Sequence, residues 1–339
     1  MGLPTHLIKS LRLLLPWVGL AVLLSGTLAL RCWNSGQVFL GGEVYFVDAD
    51  CYSRMTRVQQ VMKAPWTSIR THDFENAPVG TEPHTTAPMD LLLAGLAGIF
   101  RLVTPAGLDL AGAWASPLLG TVLVAFLWWW GRKLALPLRN ALLILVATSP
   151  ILVHGFLLGR PDHQSLILLL VGLALAAEIA LWTQPARLWS LLSAAAWALA
   201  LWTSLFEPLI LLLATLLCRG LVMGRAAWTI RHPAAPAVFA LLLLGGLLFD
   251  GWRSPPSAPE IAEFFPRWSQ TIGELNHLTP AQLLPWTGWL LPIVPVLLLL
   301  RHRREKTASS SPWPCWCFSP PDSRSGMPAG GISWRWFLP

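Results

Sequence analysis

The stretch QSLILLLVGLALAAEIALW, residues 164–182, carries a single charged residue, Glu178, in a run long enough to cross a lipid bilayer. A helix needs about 20 mostly apolar residues to span the hydrocarbon core. Similar runs recur along the chain and predict an all-α, polytopic membrane protein with about eight transmembrane helices. The predicted spans lie at 11–30, 110–130, 140–158, 164–182, 187–204, 206–222, 234–250 and 285–300.

The composition agrees with a membrane protein and argues against a soluble globular domain. Of the 339 residues, 54% are hydrophobic and only 12% are charged. Basic residues exceed acidic ones, 24 against 17, but they stand in short loops between apolar runs. This distribution is typical of cytoplasmic loops and argues against a nucleic-acid partner. The five cysteines show neither a disulfide framework nor the spacing of zinc ligands.

A shorter apolar stretch, 88–104, decides the predicted topology. It contains Asp90 and Arg101, and counting it as a span would place every later basic cluster outside the cytoplasm. If the N-terminus, with Lys9 and Arg12, is cytoplasmic and 88–104 lies along the interface or re-enters, those clusters all become cytoplasmic, as the positive-inside rule requires. We therefore expect a multi-pass protein of a plasma membrane, as in a bacterial inner membrane, with a cytoplasmic N-terminus.

This topology places three polar stretches, 31–109, 159–163 and 251–284, on the extracytoplasmic face. Together with the spans they form a predicted transmembrane domain, residues 1–306. From 307 to 339 the sequence is rich in Ser, Pro, Gly and Trp without a helical period, so we expect a disordered tail or one produced by a reading-frame change. Acidic side chains gathered on one face predict binding or catalysis there.

The first candidate site residue is Asp50, in VDADCYSRMTR, residues 47–57. Asp48 precedes it, and two carboxylates on a loop suit Mg²⁺ or Mn²⁺, which prefer hard oxygen ligands. Arg54 and Arg57 follow, and both are candidates to bind phosphate oxygens. The alternative interpretation is a solvated loop beside the membrane, with weak surface ion pairs.

The second candidate pair is Asp162 and His163, in GRPDHQSL, residues 159–166. Asp is a preferred N-cap for the helix predicted at 164–182, which is the purely structural interpretation. A capping carboxylate keeps lone pairs free, so Asp162 is also a candidate metal ligand, with the imidazole of His163 as a second.

The third candidate is Glu274, in the last polar stretch. Thr271 and Glu274 match a capping box. Shortly after them, however, Thr279-Pro280-Ala281-Gln282 is a better helix start, with Pro at the first helical position and Gln at the third. The capping box at Thr271 and Glu274 therefore has no helix of its own, and we predict that the carboxylate of Glu274 is exposed in the loop.

In this order and on one predicted face, the three stretches resemble motifs of the catalytic subunits of oligosaccharyltransferases, which are membrane glycosyltransferases of the GT-C class. Asp50, in DADCY, resembles the D-x-Y-type motif of the family's first external loop. GRPDHQ resembles the motif G-x-x-D-x-(D/E) at Gly159 and Asp162, although Gln164 stands where an acid is expected. TIGE, residues 271–274, resembles the family's S/T-hydrophobic-x-E motif.

The resemblance covers residues 5–305 and implies a GT-C-like fold with a long, helical first external loop. It implies transfer of a glycan from a polyprenyl-phosphate or polyprenyl-diphosphate carrier to an acceptor polypeptide, in that family at an Asn side chain. Asp50 and Glu274 would be the catalytic residues. A divalent cation, Mg²⁺ or Mn²⁺, would be held by Asp50, Asp162, Glu274 and His163.

Three alternatives to this function remain open. Another GT-C enzyme, glycosylating a protein hydroxyl or a lipid, would need the same carrier and the same external acids. A transporter or flippase would place charges near the bilayer midplane and would pair broken helices, a pattern to which only Glu207-Pro208 corresponds. The family's Trp-Trp-Asp acceptor-recognition motif is absent from the sequence. An inactive, truncated relative is therefore the third alternative.

Overall fold

The computed structural model describes residues 5–65, 67–75, 77–82, 86–136, 138–224, 230–251 and 279–288, with isolated positions between 259 and 300. Side chains are described from Leu14 onward. The chain divides into two compact units, Met1–Gly288 and Trp289–Pro339. The predicted tail, 307–339, and the TIGE motif lie outside the described residues.

Helices make up most of the described chain, as the sequence predicted, and those with assigned bounds belong to the first unit. The first five are α1 (Thr5–Arg31), α2 (Ser35–Val38), α3 (Ala49–Lys63), α4 (Ala87–Arg101) and α5 (Gly107–Lys133). They are followed by α6 (Arg139–Thr148), α7 (Pro150–Gly155), α8 (His163–Thr183), α9 (Arg187–Thr203), α10 (Phe206–Met223), α11 (Ala234–Asp250) and α12 (Pro280–Thr287).

Four of the described helices are long and apolar enough to cross a membrane: Leu14–Arg31 within α1, and the whole of α5, α8 and α10. Helices α6 and α11 are apolar but shorter. An all-α membrane protein is therefore supported. By length and composition, the described helices do not identify the other four predicted spans as membrane-crossing. The predicted span at 140–158 is interrupted between α6 and α7, at Ser149 and Pro150. Proline has no backbone N–H to continue the hydrogen bonding of the preceding helix.

A two-stranded antiparallel hairpin follows α2. Strand β1 (Phe39–Leu40) pairs with β2 (Glu43–Val44) across a turn formed by Gly41 and Gly42. The φ angles of these glycines are +63° and +88°, a region that side chains with a Cβ rarely adopt. The hairpin turns the chain sharply between α1 and α3.

The stretch 88–104, predicted to lie along the interface or to re-enter, forms α4. This helix packs mainly against α5 and α3. Met89, Leu93 and Ala97 repeat every four residues on its buried side and are fully buried. Asp90 is buried as well, at 1% exposure, so a charged group lies on the buried side of this apolar helix. The position of α4 relative to a bilayer stays a prediction.

The core lies where α5, α8 and α9 pack together. Small residues line the contacts and are almost completely buried, which allows the helix backbones to approach closely. In α8, a Cβ added to Gly172 would lie 2.7 Å from Leu123 Cδ1 of α5, so the leucine side chain would have to shift to admit a larger residue there. The small buried residues are Ala111, Ala115, Ala174, Ala177, Ala196 and Ala200.

The polar stretches 31–109 and 159–163, which the topology predicted to share one face, meet at one end of the first unit. Leu158 N donates to Arg31 O (2.9 Å), and Gly159 N donates to Ala113 O (3.0 Å). At this end α1, α9 and α11 finish while α5, α8 and α10 begin, and we call it the site end.

Gly159 fixes the connection between α7 and α8 beneath the first loop. Its backbone oxygen accepts a hydrogen bond from Val47 N at 3.0 Å. Its φ is +74°, and an added Cβ would lie 2.7 Å from Val38 Cγ2. Both the conformation and the close approach therefore require glycine at the start of the GRPDHQ motif.

Candidate functional site

The two aspartates of VDADCYSRMTR have different positions at the start of α3. Asp48 is the N-cap, and its Oδ1 accepts a hydrogen bond from Cys51 N at 2.9 Å. Asp50 is exposed in the first helical turn, where the helix dipole favours a negative charge. Asp48 therefore stabilises the start of α3, and the carboxylate of Asp50 is exposed at the site end.

Arg54 and Arg57, one turn apart on α3, both bind Asp90 of α4. Arg54 Nη1 lies 2.9 Å from Asp90 Oδ1, while Arg57 Nε and Nη2 lie 2.9 and 2.5 Å from Oδ2. The two arginine side chains are only 4% and 1% exposed. These buried pairs differ from the weak surface ion pairs of the alternative interpretation. Their predicted contact with phosphate stays a prediction, and in this structure they pair with a buried carboxylate.

His72 extends this network from Arg57 to Glu75. Arg57 Nη1 lies 2.9 Å from His72 Nε2, and His72 Nδ1 lies 2.9 Å from Glu75 Oε2. A neutral imidazole protonated on Nδ1 satisfies both contacts, because Nε2 then accepts from the guanidinium while Nδ1 donates to the carboxylate. The ring is 3% exposed, so the network orients a buried histidine.

Glu75 ends the network at the surface, with its side chain 41% exposed. Ser53 Oγ donates to Oε1 at 2.6 Å, and Thr81 Oγ1 donates to Oε2 at 2.9 Å. Burial alone would raise the pKa of Glu75, but these hydrogen bonds and the one from His72 lower it to about 2. Glu75 is thus held as an anion by donors from two polar segments.

Asp162 precedes α8 but makes no side-chain capping hydrogen bond, which differs from the purely structural interpretation. Its Oδ1 instead lies 2.6 Å from His163 Nδ1, and its Oδ2 lies 3.8 Å from Arg160 Nη2. Burial would raise the pKa of Asp162, but the hydrogen bond from His163 and the charges of His163, Arg54 and Arg160 lower it to about 2. The carboxylate is therefore anionic at neutral pH.

One nitrogen of His163 lies between two partners. Arg54 Nη2 is 3.2 Å from His163 Nδ1, the same atom that contacts Asp162. A protonated Nδ1 donates to the carboxylate and cannot accept from the guanidinium, whereas an unprotonated one does the reverse. Whether Nδ1 carries the proton therefore decides whether His163 pairs with Asp162 or with Arg54.

Gln164, which occupies the position where the resemblance expects an acid, accepts a hydrogen bond through Oε1 from Arg160 Nη2 at 3.1 Å. Its amide is thus used to hold a neighbouring guanidinium.

The buried thiol of Cys51 shows that α3 and the GRPDHQ motif are neighbours. Burial, and the negative charges of Asp48 and Asp162, raise its pKa. The first and second predicted motifs are therefore brought together at the site end, through Cys51 and through the contact between Arg54 and His163.

Glu274, the third predicted acid, lies outside the described residues. Within the described ranges, no three His, Cys, Asp or Glu side chains converge as metal ligands would. The neighbouring prediction is confirmed: Thr279 caps α12 in a complete capping box with Gln282, and Pro280 is the first helical residue.

The sequence predictions did not include Asp90, His72 or Glu75 among the site residues. The sequence does contain a signal for Asp90, because an acid in an apolar stretch is a functional candidate. His72 and Glu75 lie in a polar loop where no pattern distinguishes them. Their role depends on contacts with α3 that only the folded chain provides.

Asp250 is a further buried acid at the site end, 4% exposed and last in α11. It accepts hydrogen bonds from Ser68 Oγ (2.5 Å), Trp202 Nε1 (2.6 Å) and Ala87 N (3.2 Å). One carboxylate thus ties the first polar loop and the start of α4 to the ends of α9 and α11.

No protein-family model matches the chain, and no curated protein matches it.

Proposed function

We propose that the protein is a membrane glycosyltransferase that moves a glycan from a polyprenyl-phosphate or polyprenyl-diphosphate carrier to an acceptor polypeptide. The observation that carries the proposal is the meeting of two acidic motifs, 47–57 and 159–166, at one end of membrane-length helices. A lipid-linked donor places its phosphate at a bilayer surface, which is where acids and arginines beside helix ends would meet it.

A hard divalent cation, Mg²⁺ or Mn²⁺, would need Glu274 as well as the described donors, because no three His, Cys, Asp or Glu side chains converge within the described ranges. Asp50 and Asp162 supply carboxylate oxygens, and the low pKa of Asp162 keeps that group anionic. His163 adjoins Asp162, and Glu274 would complete the set. When bound, such a cation would supply charge neutralisation for the phosphate leaving group.

The arginines provide a fixed positive charge near the same place. Arg54 and Arg57 are held on Asp90, so their orientation is set before any substrate arrives. Arg54 also contacts His163, which contacts Asp162. A phosphate approaching this end would therefore meet a positive charge whose position is already fixed. Asp50 and Glu274 would accept hydrogen bonds from the acceptor amide and make its nitrogen more available.

The proposal is tested with purified protein in lipid nanodiscs, a polyprenyl-diphosphate sugar donor, Mn²⁺ and a peptide that contains an Asn-x-Thr sequence. Glycopeptide formation is followed by mass spectrometry. Asp50→Ala and Asp162→Ala should abolish transfer while the protein still inserts into the membrane. Asp109→Ala removes an exposed acid from the first turn of α5, at the same end, and should leave transfer unchanged.

Normal transfer by Asp50→Ala or Asp162→Ala would refute the assigned site. Replacing the peptide by a Ser/Thr peptide or by a lipid acceptor distinguishes the alternative GT-C reactions, because these use the same carrier but attack through a hydroxyl. Failure with all three acceptor classes, in the presence of a donor that binds, would refute glycosyl transfer.

A further inference from the structure

At the end of α8 opposite the site end, four polar residues form what we call the Glu178 cluster: Glu178, Ser193, Arg219 and Arg231. Arg219 Nη1 donates to Glu178 Oε2, and Ser193 Oγ donates to Oε1. Arg231 Nη2 donates to the same Oε1 at 2.6 Å. The four residues come from α8, α9, α10 and the segment before α11, so the cluster joins four parts of the helical unit.

The charges of the Glu178 cluster do not balance. Two guanidiniums face one carboxylate, and Glu178 and Arg219 are each only 1% exposed. The salt bridges described for both arginines lead to this same carboxylate. Burying a cation without a matching anion is unfavourable. The cluster therefore retains an excess positive charge in a region shielded from water.

Donor groups remain available in the same place. Arg219 Nε, Arg219 Nη2 and Arg231 Nε are buried and have no hydrogen-bond partner among the residues that the structure describes. Guanidinium N–H groups in a fixed, planar arrangement match the oxygens of phosphate groups. The unpaired N–H donors and the excess positive charge both favour the binding of an oxyanion.

The location gives such an anion a route of entry. Arg219 stands four residues before Met223, the last residue of α10, which is about 6 Å along the helix axis. This depth is close to the phosphate layer of a bilayer that α10 spans. Arg231 is 18% exposed, so the cluster opens to the surroundings on its side. The predicted topology puts this end at the cytoplasmic leaflet, where anionic lipids are common.

We propose that the Glu178 cluster binds a phosphate-type oxyanion through Arg219 and Arg231. The source is either the headgroup phosphate of an anionic lipid or a free phosphate ion. Glu178 positions the two guanidiniums, and the bound anion balances the remaining charge. The proposal is independent of the glycosyltransferase activity, because the cluster and the candidate site lie at opposite ends of α8.

The experiment uses the full chain, stripped of lipid in a maltoside detergent that contains no phosphate. Phosphatidylglycerol, diacylglycerol or inorganic phosphate is then added separately. Bound lipid is counted by native mass spectrometry, and thermal unfolding is followed for every addition. Phosphatidylglycerol should be retained and should raise the unfolding temperature, whereas diacylglycerol, which lacks the phosphate, should do neither.

Arg231→Gln should weaken binding at least about tenfold, a loss typical of a charged hydrogen-bonding partner. Arg187→Gln is the matched control, because Arg187 is exposed at the same end and belongs to α9. It removes one positive charge without touching Glu178 and should leave binding unchanged. Arg231→Lys, which keeps the charge but loses the planar donors, should bind more weakly than the wild-type protein.

Stabilisation by phosphatidylglycerol but not by phosphate assigns the site to a lipid, and stabilisation by phosphate alone assigns it to a free ion. If neither addition stabilises the wild-type protein more than diacylglycerol does, the proposal is overturned. It is also overturned if Arg231→Gln responds like the wild-type protein. If Arg231→Gln does not fold, the comparison of wild-type with Arg231→Lys decides instead.

Discussion

Arg57 and Asp90, 33 residues apart in the sequence, form a buried ion pair in which two guanidinium nitrogens contact one carboxylate oxygen. Arg54 contacts the other oxygen, so a single acid pairs with two arginines. Asp90 therefore joins α3 to α4 at the point where the candidate site is built. Breaking a buried pair from one side is costly, because the remaining charge stays buried and uncompensated.

Asp90→Asn should lower the free energy of unfolding by about 3–5 kcal/mol, the range found when one partner of a buried ion pair is removed. Thermal unfolding of the purified protein in detergent measures the change. Asp109→Asn, at an exposed acid of α5, should change stability by less than about 0.5 kcal/mol. Equal unfolding temperatures for the two variants would mean that the pair contributes little.

Gly159→Ala should destabilise the protein by about 1–3 kcal/mol, because a Cβ would be strained at positive φ and would meet Val38. Gly220→Ala is the control: that glycine lies inside α10 with no atom within 4 Å of an added Cβ. Alanine favours a helix interior, so Gly220→Ala should be neutral or stabilising by up to about 1 kcal/mol. The same loss of stability in both variants would contradict the special geometry of Gly159.

Stability should fall as the pH drops from about 4 to about 2, in part because of Asp162. Its pKa is lowered from 3.8 to about 2 in the folded protein. A lowered acid pKa contributes stability above the unfolded pKa, and that contribution is lost as pH falls through the folded pKa. Asp162 is 15% exposed in its side chain, and the shift corresponds to about 2 kcal/mol.

Unfolding measured across this pH range in wild-type protein and in Asp162→Asn tests the effect. The variant should be less stable at pH 6 and should show a smaller loss between pH 4 and pH 2. An unchanged pH dependence in Asp162→Asn would show that other groups account for the acid sensitivity.

Asp250→Ala should loosen the first polar loop, because this carboxylate accepts hydrogen bonds from Ser68 and from the N-terminal residue of α4, Ala87. Hydrogen exchange should rise in peptides that cover 67–75 and 86–93, with a loss of about 1–3 kcal/mol in stability. Glu207→Ala is the control, since Glu207 is exposed and accepts a hydrogen bond from nearby Ser204. Exchange that rises equally in both variants would rule out a specific role for Asp250.

Local features of the site were predictable from the sequence wherever the cause is local. The helix start at Thr279 was recognised because capping depends on residues a few positions apart. The candidates Asp50, Asp162 and His163 were found because polar residues stand out beside apolar runs. Nothing local, however, indicates that Arg54, 109 residues before His163, contacts the imidazole of that residue.

By itself, the sequence determined that this is a helical membrane protein, because the length of an apolar run sets what it can span and hydrocarbon tolerates few charges. Only the tertiary structure decided which charges meet. Asp90, Asp250 and Glu178 each have a partner on another helix, far away along the chain. Ion pairs between helices depend on which helices pack together and in what rotation, and the apolar pattern of a buried helix does not specify either.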